Sequence, residues 1–303
     1  MSDGRTTIVV MGDVIDDILV QPLRPVEPDS DTPATITARP GGSAGNAAAW
    51  LGFLGAEVAF VGRVGAADAE RHAALFRAAG VEPNLTIDPV LPTGAVVSIV
   101  EGQSRTMLTQ RGANTGFDPA SVTDELLARA AVLHLTGYTL FGAADHAQYR
   151  ALFARARAHG VAISVDCGAA SFLRGDGGRR FLDVVAGTTI LFPNLDEGRA
   201  LTGRGEPADV VRVLLNQFPV AALTLGAAGC LVARAGGEQV PIPAVPTAVV
   251  DTTGAGDAFA AGFLAEWVRS GSIGRAGSAG VEAAADCVGI IGGRPAERPL
   301  ATG

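Results

Sequence analysis

Short β-branched runs recur along the chain, separated by helix-length stretches rich in Ala and Leu. The runs "TIVVMG", "EVAFVGRVG", "AVLHLTG", "GVAISVD", "TTILFPN" and "VAALTLG" have the length and composition of buried strands. Between them, "DHAQYRALFARARAHG" and "DEGRALTGRGEPADVVRVLLNQF" carry apolar residues at helical spacing. This βα alternation predicts an α/β fold, a mostly parallel sheet with helices on both faces. Two stretches depart from the rhythm. Thr32 to Pro40 ("TPATITARP") and Thr93 to Gly112 alternate polar and apolar residues without a helix between them, the second folding about "EGQS". They predict a small antiparallel β lid beside the main sheet, over roughly residues 13–39 and 93–112, closing over a bound molecule and pairing two copies through its outer face.

Composition narrows the class. At 303 residues the chain suits one large α/β domain or two ordinary ones, and 48% hydrophobic with 18% charged residues is globular. The net charge of −8 is spread without long like-charge runs, which disfavours a nucleic-acid or membrane partner. Near the N-terminus the apolar run is too short to span a bilayer, and Asp13, Asp16 and Asp17 interrupt it, so it reads as a first strand. Cys167, Cys230 and Cys287 are odd in number and lack CxxC spacing, which points to reduced, buried thiols and a cytoplasmic protein. All 23 basic residues are arginine. A P-loop lysine, a protein-kinase strand lysine and a Schiff base are thereby excluded, and phosphate has to meet arginine, metal or backbone N–H groups. The final "RPAERPLATG" reads as a loosely held tail.

The candidate chemistry gathers at two glycine-rich turns. In "DTTGAGDAFAAGF", Asp251 to Phe263, a strand gives way to a tight turn and then a helix. Gly254, Ala255 and Gly256 leave unpaired N–H groups at the helix mouth, an anion hole with the carboxylate of Asp257 beside it. The bland alternative, Thr253 capping the helix and Asp257 complementing its positive end, leaves the Gly-Ala-Gly unexplained. In "PGGSAGNAAAWLGFLG" the amides of Gly41 and Gly42 and the side chain of Asn46 form a second polar turn before a helix.

These two turns, with "GDVIDD" after the first strand, "NLDEG" and "TLGAAG" in matching order, resemble the ribokinase/PfkB carbohydrate kinase family over essentially the whole chain. The resemblance implies a single ribokinase-like domain over residues 1–303, a three-layer α/β/α sandwich with the lid, and ATP-dependent phosphorylation of a hydroxymethyl group on a small sugar. A nucleoside is the alternative acceptor. It implies Asp257 as general base with Gly254, Ala255 and Gly256 as the anion hole, and Asp17, Gly41, Gly42 and Asn46 as acceptor contacts. It further implies Asn194 and Glu197 organising magnesium and phosphate, Glu197 through water, Thr224, Gly226 and Gly229 at the nucleotide, and Asp251 beside a potassium ion. Asn194 and Glu197 fit a helix capping box equally well, and the "TLGAAG" residues fit an ordinary turn between strands.

Other residues carry plainer readings. His134 reads as a core histidine, Met107 and Phe141 as core or lid packing, and Arg105 and Arg111 as solvated lid residues, which leaves an unphosphorylated acceptor preferred. The helix mouth is expected to hold Asp257 ionised and weakly basic. A nicotinamide oxidoreductase would suit the βα rhythm, but "GDVIDD" stands where G-x-G-x-x-G belongs. A binding protein that kept the fold without its chemistry is opposed by the intact Asp257.

Overall fold

The computed structural model describes residues 4–101, 104–143 and 145–295; the side chains of residues 101, 104 and 105 lie outside that description. Among the described residues, thirteen strands form two sheets. The larger has nine strands in the order β13-β12-β11-β10-β9-β8-β1-β4-β5. Its centre is the run predicted from sequence: β1 (Thr7–Met11), β4 (Val58–Gly65), β8 (Ala130–Thr136), β9 (Ala162–Asp166), β10 (Ile190–Phe192) and β11 (Val220–Thr224), all parallel. β5 (Val81–Asp88) extends it in parallel, while β12 (Cys230–Arg234) and β13 (Gln239–Ile242) close the other edge antiparallel.

The pleat sends alternate residues of one strand into two cores. Val9 and Met11 pack with Leu133, Phe153, Phe181 and Leu214, whereas Ile8 and Val10 pack with Trp50, Phe60, Phe259 and Phe263. Helices therefore cover both faces, Ser43–Phe53, Ala255–Ser270 and Ile273–Val288 on one and His146–Ala158 among those on the other. Asp145 caps the His146–Ala158 helix by accepting from the Ala147 N–H. The longer helical stretch is two helices, Leu195–Thr202 and Pro207–Leu214, because Gly203 ends the first in a left-handed cap and Pro207 opens the second.

The smaller sheet has the order β3-β2-β6-β7, from Ala34–Gly41, Ile15–Pro22, Gly94–Glu101 and Ser104–Gln110. Its outer pairs are antiparallel, and β2 and β6 at the centre run parallel. Ile15, Asp17, Val96, Ser98, Met107 and Thr109 share the face turned to the main cleft. The opposite face carries two apolar rows, Ala38–Ile18–Val97–Leu108 and Ile36–Val20–Ile99, with Ile36 65% and Leu108 59% exposed. Asp17 thus lies within lid strand β2 and not on a loop after β1. Among the described residues no helix is long and apolar enough to cross a membrane.

Candidate active site

A cleft of about 670 Å³ lies between the lid and the carboxyl ends of the central strands, where both glycine-rich turns meet. Gly254, with φ of 77°, is the left-handed residue from which the Ala255–Ser270 helix starts, and a Cβ there would lie 2.5 Å from the Cα of Gly293. The Ala258 N–H bonds to the Gly254 carbonyl and the Ala255 N–H to the Thr252 carbonyl over 3.3 Å, so the Ala255 amide is already engaged within the turn that lines the cleft. Gly256 has open space over its Cα, the nearest group to a Cβ there being Asp166 Oδ2 at 4.0 Å.

Asp257 is held by the other turn. Ser43 Oγ donates to Oδ1 over 2.6 Å and Asn46 Nδ2 donates to Oδ2 over 2.9 Å. Asn46 is buried, and its Oδ1 has no hydrogen-bond partner among the described residues. The glycines before it have steric reasons: a Cβ on Gly41 would collide with the Asp17 carboxylate, and Gly42, at φ 87°, would place one 2.5 Å from the Asp13 carbonyl oxygen. Asp17, Gly42, Asn46, Gly254, Ala255, Gly256 and Asp257 all line the same cleft.

The electrostatics differ from the helix-mouth expectation. Burial, followed by the nearby Asp166 charge, pushes the Asp257 carboxyl up to about 7, against the Ser43 and Asn46 hydrogen bonds. Desolvation exceeds the first-turn stabilisation, so the Asp257 carboxyl is raised and not held low. Burial also raises Asp166, whose Oδ1 accepts from the Gly168 N–H. Burial and then the Asp166 charge raise Glu197, while its bonds to Asn194 oppose them.

Asn194 and Glu197 form a complete capping box: Asn194 Oδ1 accepts from the Glu197 N–H at 2.9 Å, and Glu197 Oε2 accepts from the Asn194 N–H at 2.8 Å. Both side chains also line the cleft. Asp166, Glu197 and Asp257, carboxyls that burial raises, share one cleft with the Gly254–Gly256 turn. The Asp166 and Glu197 oxygens suit magnesium. Of the "TLGAAG" residues only Thr224 lines this cleft; Gly226 and Gly229 shape the turn from β11 to β12, where Leu225 N–H donates to the Gly229 carbonyl. Asp251 clamps its own turn, accepting from the Thr253 N–H and hydroxyl through Oδ1 and from the Gly292 N–H through Oδ2.

Several readings change. Arg111 is no solvated lid residue: it donates to Asp13 Oδ1 at 3.1 Å and to the Tyr138 carbonyl at 3.2 Å, and it lines the cleft. Arg105 lies outside the described side chains. Met107, on a lid strand, and Phe141 both line the cleft, and Phe141 also packs against the core through Phe181; Phe141 stacks on Phe172 at 4.8 Å, and Tyr138 meets Phe172 edge-on. His134 is a core residue, fully buried against Ser164, and the three cysteines are buried and free. The tail reading fails for Arg294, which is anchored on Gly41; residues 296–303 lie outside the described residues. Sequence reasoning passed over Ser43, Asp166, Asp13 and Arg294. Ser43 alone had a signal, as the hydroxyl directly following the Gly-Gly.

A family model described as "pfkB family carbohydrate kinase" matches residues 5–298. An uncharacterized sugar kinase of Archaeoglobus fulgidus is 30% identical over 80% of this chain and 96% of its own. An ATP-dependent ribose-1-phosphate kinase of Halopiger xanaduensis is 30% identical, covering 91% and 88%. The chain also matches longer bifunctional HldE proteins, spanning 54% of that from Caulobacter vibrioides at 29% identity over 84% of this chain. Among solved structures, adenosine kinase from Sinorhizobium meliloti superposes with a TM-score of 0.83 at 28% identity, over 96% of each chain. The fold is the ribokinase-like one, shared also with Arabidopsis thaliana ribokinase at a TM-score of 0.78 and 23% identity, over 97% of this chain and 96% of that one.

Proposed function

This chain belongs to the pfkB family of carbohydrate kinases, and from that premise we propose that it transfers the γ-phosphoryl group of ATP to a hydroxymethyl group of a small sugar. The observation that carries the reading is Asp257 at the helix mouth, each carboxylate oxygen fixed by a donor from the other glycine turn. A carboxyl pushed up to about 7 accepts a hydroxyl proton near neutrality. As the acceptor oxygen bonds to the γ-phosphorus and the bond from that phosphorus to the β-phosphate oxygen breaks to release ADP, the hydroxyl proton passes to Asp257, and the Gly254, Ala255 and Gly256 amides meet the oxygens of the transferring group. Asp166 and Glu197 would hold magnesium, Glu197 through water; the ion supplies positive charge to the phosphates. Asn46 Oδ1 and Asp17 accept from acceptor hydroxyls. Thr224, on the same cleft, and the Gly226–Gly229 turn after it flank the nucleotide.

The acceptor is unphosphorylated at the end lined by Arg111, because Asp13 and the Tyr138 carbonyl already engage that guanidinium. The lid closes over it and excludes water. Two copies pair through the apolar rows of the lid's outer face, in the cytoplasm, where ATP is available; a monomeric mass by light scattering would remove the dimer.

A nucleoside acceptor is the second reading, and one observation favours it. Phe172, 48% exposed, and Tyr138, 38% exposed, present ring surface to the cleft beside Phe141, and such faces stack on a planar base. Coupled ADP release with magnesium ATP across pentoses, hexoses, keto-deoxy sugars and nucleosides tests both readings. Turnover of sugars alone removes the second, and absence of any turnover removes catalysis in favour of a binding role.

A further inference from the structure

A strap following the last helix contacts both glycine-rich turns of the cleft. The Val288 carbonyl accepts from the N–H groups of Val250 and Asp251, and the Gly292 N–H donates to Asp251 Oδ2 at 3.0 Å. The Gly293 carbonyl accepts from Trp50 Nε1 at 3.0 Å, and its Cα leaves no room for a side chain at Gly254. A Cβ on Gly293 would in turn collide with the Asn46 amide.

At the strap's end, Arg294 turns inward under the acceptor loop. Its Nη2 donates to the Gly41 carbonyl over 3.0 Å, its guanidinium carbon lies 4.9 Å from the Phe76 ring centroid, and a Cβ on Gly45 would stand 2.6 Å from Nη2. Gly41 is the residue against whose other side the Asp17 carboxylate rests. The guanidinium is part-buried, with the Gly41 carbonyl as partner and a buried Nε that has none among the described residues, a cost that a surface arginine would avoid. Burial lowers its pKa to about 10, so it remains a cation at neutral pH, and the acids whose charges it meets are Asp17 first, then Asp16 and Asp257.

We propose that Arg294 is a positioning residue for the acceptor: it fixes the Gly41–Gly42 turn to the strap and sets a positive charge behind Asp17, so that Asp17 meets the acceptor hydroxyls as a correctly placed carboxylate. The role depends on the kinase reading above for its acceptor, and on the Arg294 geometry for the rest. It also makes the strap one body with the anion hole, since neighbouring residues of it hold Asp251, Gly254 and Gly41.

The test compares Arg294→Met, which keeps an apolar stem over Phe76 without the charge, with Arg294→Lys, which keeps the charge. For an acceptor that the wild-type protein phosphorylates, Arg294→Met should raise the acceptor KM at least about tenfold, the scale of a lost charged hydrogen bond, with ATP KM and kcat within about threefold, and Arg294→Lys should restore part of the loss. In an Asp17→Asn background the Arg294→Met effect should shrink to near nothing, because the charge it serves is gone. Acceptor binding is read separately, as the rise in Tm that the acceptor panel produces. That rise should be lost in Arg294→Met whether or not turnover is detected. Should Arg294→Met show no thermal transition, Arg294→Lys decides, with the acceptor KM raised and the ATP KM unchanged. A wild-type acceptor KM in Arg294→Met, additive effects with Asp17→Asn, or equal losses for ATP and acceptor in both variants would overturn the proposal. No ADP release from the wild-type protein with any acceptor overturns the kinase reading instead, and leaves the Tm comparison standing.

Discussion

Asn46 and Asp257, 211 residues apart, meet through one hydrogen bond of 2.9 Å from Nδ2 to Oδ2. The bond joins the mouths of two helices that the sequence marks separately with glycine-rich turns. In the proposed reaction the amide has two uses: its nitrogen holds the carboxylate that takes the proton, and its buried Oδ1, without a partner among the described residues, is left for the acceptor. On that reading a residue taken from sequence as an acceptor contact also serves proton transfer.

Asp257→Asn preserves the side-chain volume and removes the basic oxygen pair. Turnover with the true acceptor and magnesium ATP should fall by about 10²- to 10⁴-fold, the range for loss of a general base. Nucleotide affinity should change little, because the anion hole is main chain. Near-wild-type turnover in a folded variant would take the base assignment away from Asp257.

The pH profile follows from the same carboxyl. Only the ionised form accepts a proton, so with its pKa near 7 the acid limb of kcat/KM should lie close to neutrality and not near pH 4. Ser43→Ala removes a hydrogen bond that favours the charged form, so the pKa rises and the limb should move to higher pH. A limb that stays fixed or moves downward in Ser43→Ala would contradict the role given to the Ser43 hydroxyl.

Glu197 serves a helix cap and a cleft at once, and Gln separates the two uses. Gln can still accept from the Asn194 N–H, so the capping box and the Tm should survive Glu197→Gln. The negative charge is lost, and the magnesium concentration giving half-maximal activity should rise severalfold. An unchanged magnesium requirement would leave Glu197 as a cap alone.

How far the sequence revealed this depends on whether the signal was local. The parallel strands were legible from β-branched runs, and the lid from broken rhythm, because both are patterns of adjacent residues. Asp257 was legible because its turn is a compact motif. Asp166 was not: its strand reads as buried β structure, and only the fold brings its end opposite Gly256. Arg111 could not be distinguished from a surface arginine until Asp13, 98 residues away, was placed beside it. The Asp257 pKa failed for a related reason, since the helix end is visible in sequence and the burial that outweighs it is not.

Asp251 tests whether a clamped carboxylate also serves an ion. Its oxygens already accept from Thr253 and Gly292, which accounts for the acid as a structural part of the turn. Each carboxylate oxygen can accept more than one contact. Activity is expected to be higher in potassium than in tetramethylammonium buffer of equal ionic strength. Equal rates would confine Asp251 to the turn.

Asp17 gives the test that separates acceptor recognition from chemistry. It lies on lid strand β2, in register with Val96 on β6 and Arg39 on β3, and its carboxylate rests on Gly41. A rigid sheet thus carries it, so its position relative to Asp257 depends on where the lid sits. Truncating a charged hydrogen-bond partner leaves buried acceptor hydroxyls unpaired, and Asp17→Ala should lower the acceptor specificity constant by roughly 2 to 4 kcal/mol. The loss should appear mainly in the acceptor KM if Asp17 binds the ground state, and in kcat as well if its contacts tighten when the lid closes. ATP KM should remain near wild type in both cases, because the anion hole lies on a separate turn. Unchanged acceptor kinetics in Asp17→Ala would remove Asp17 from acceptor recognition and leave its carboxylate only as the neighbour that keeps position 41 a glycine.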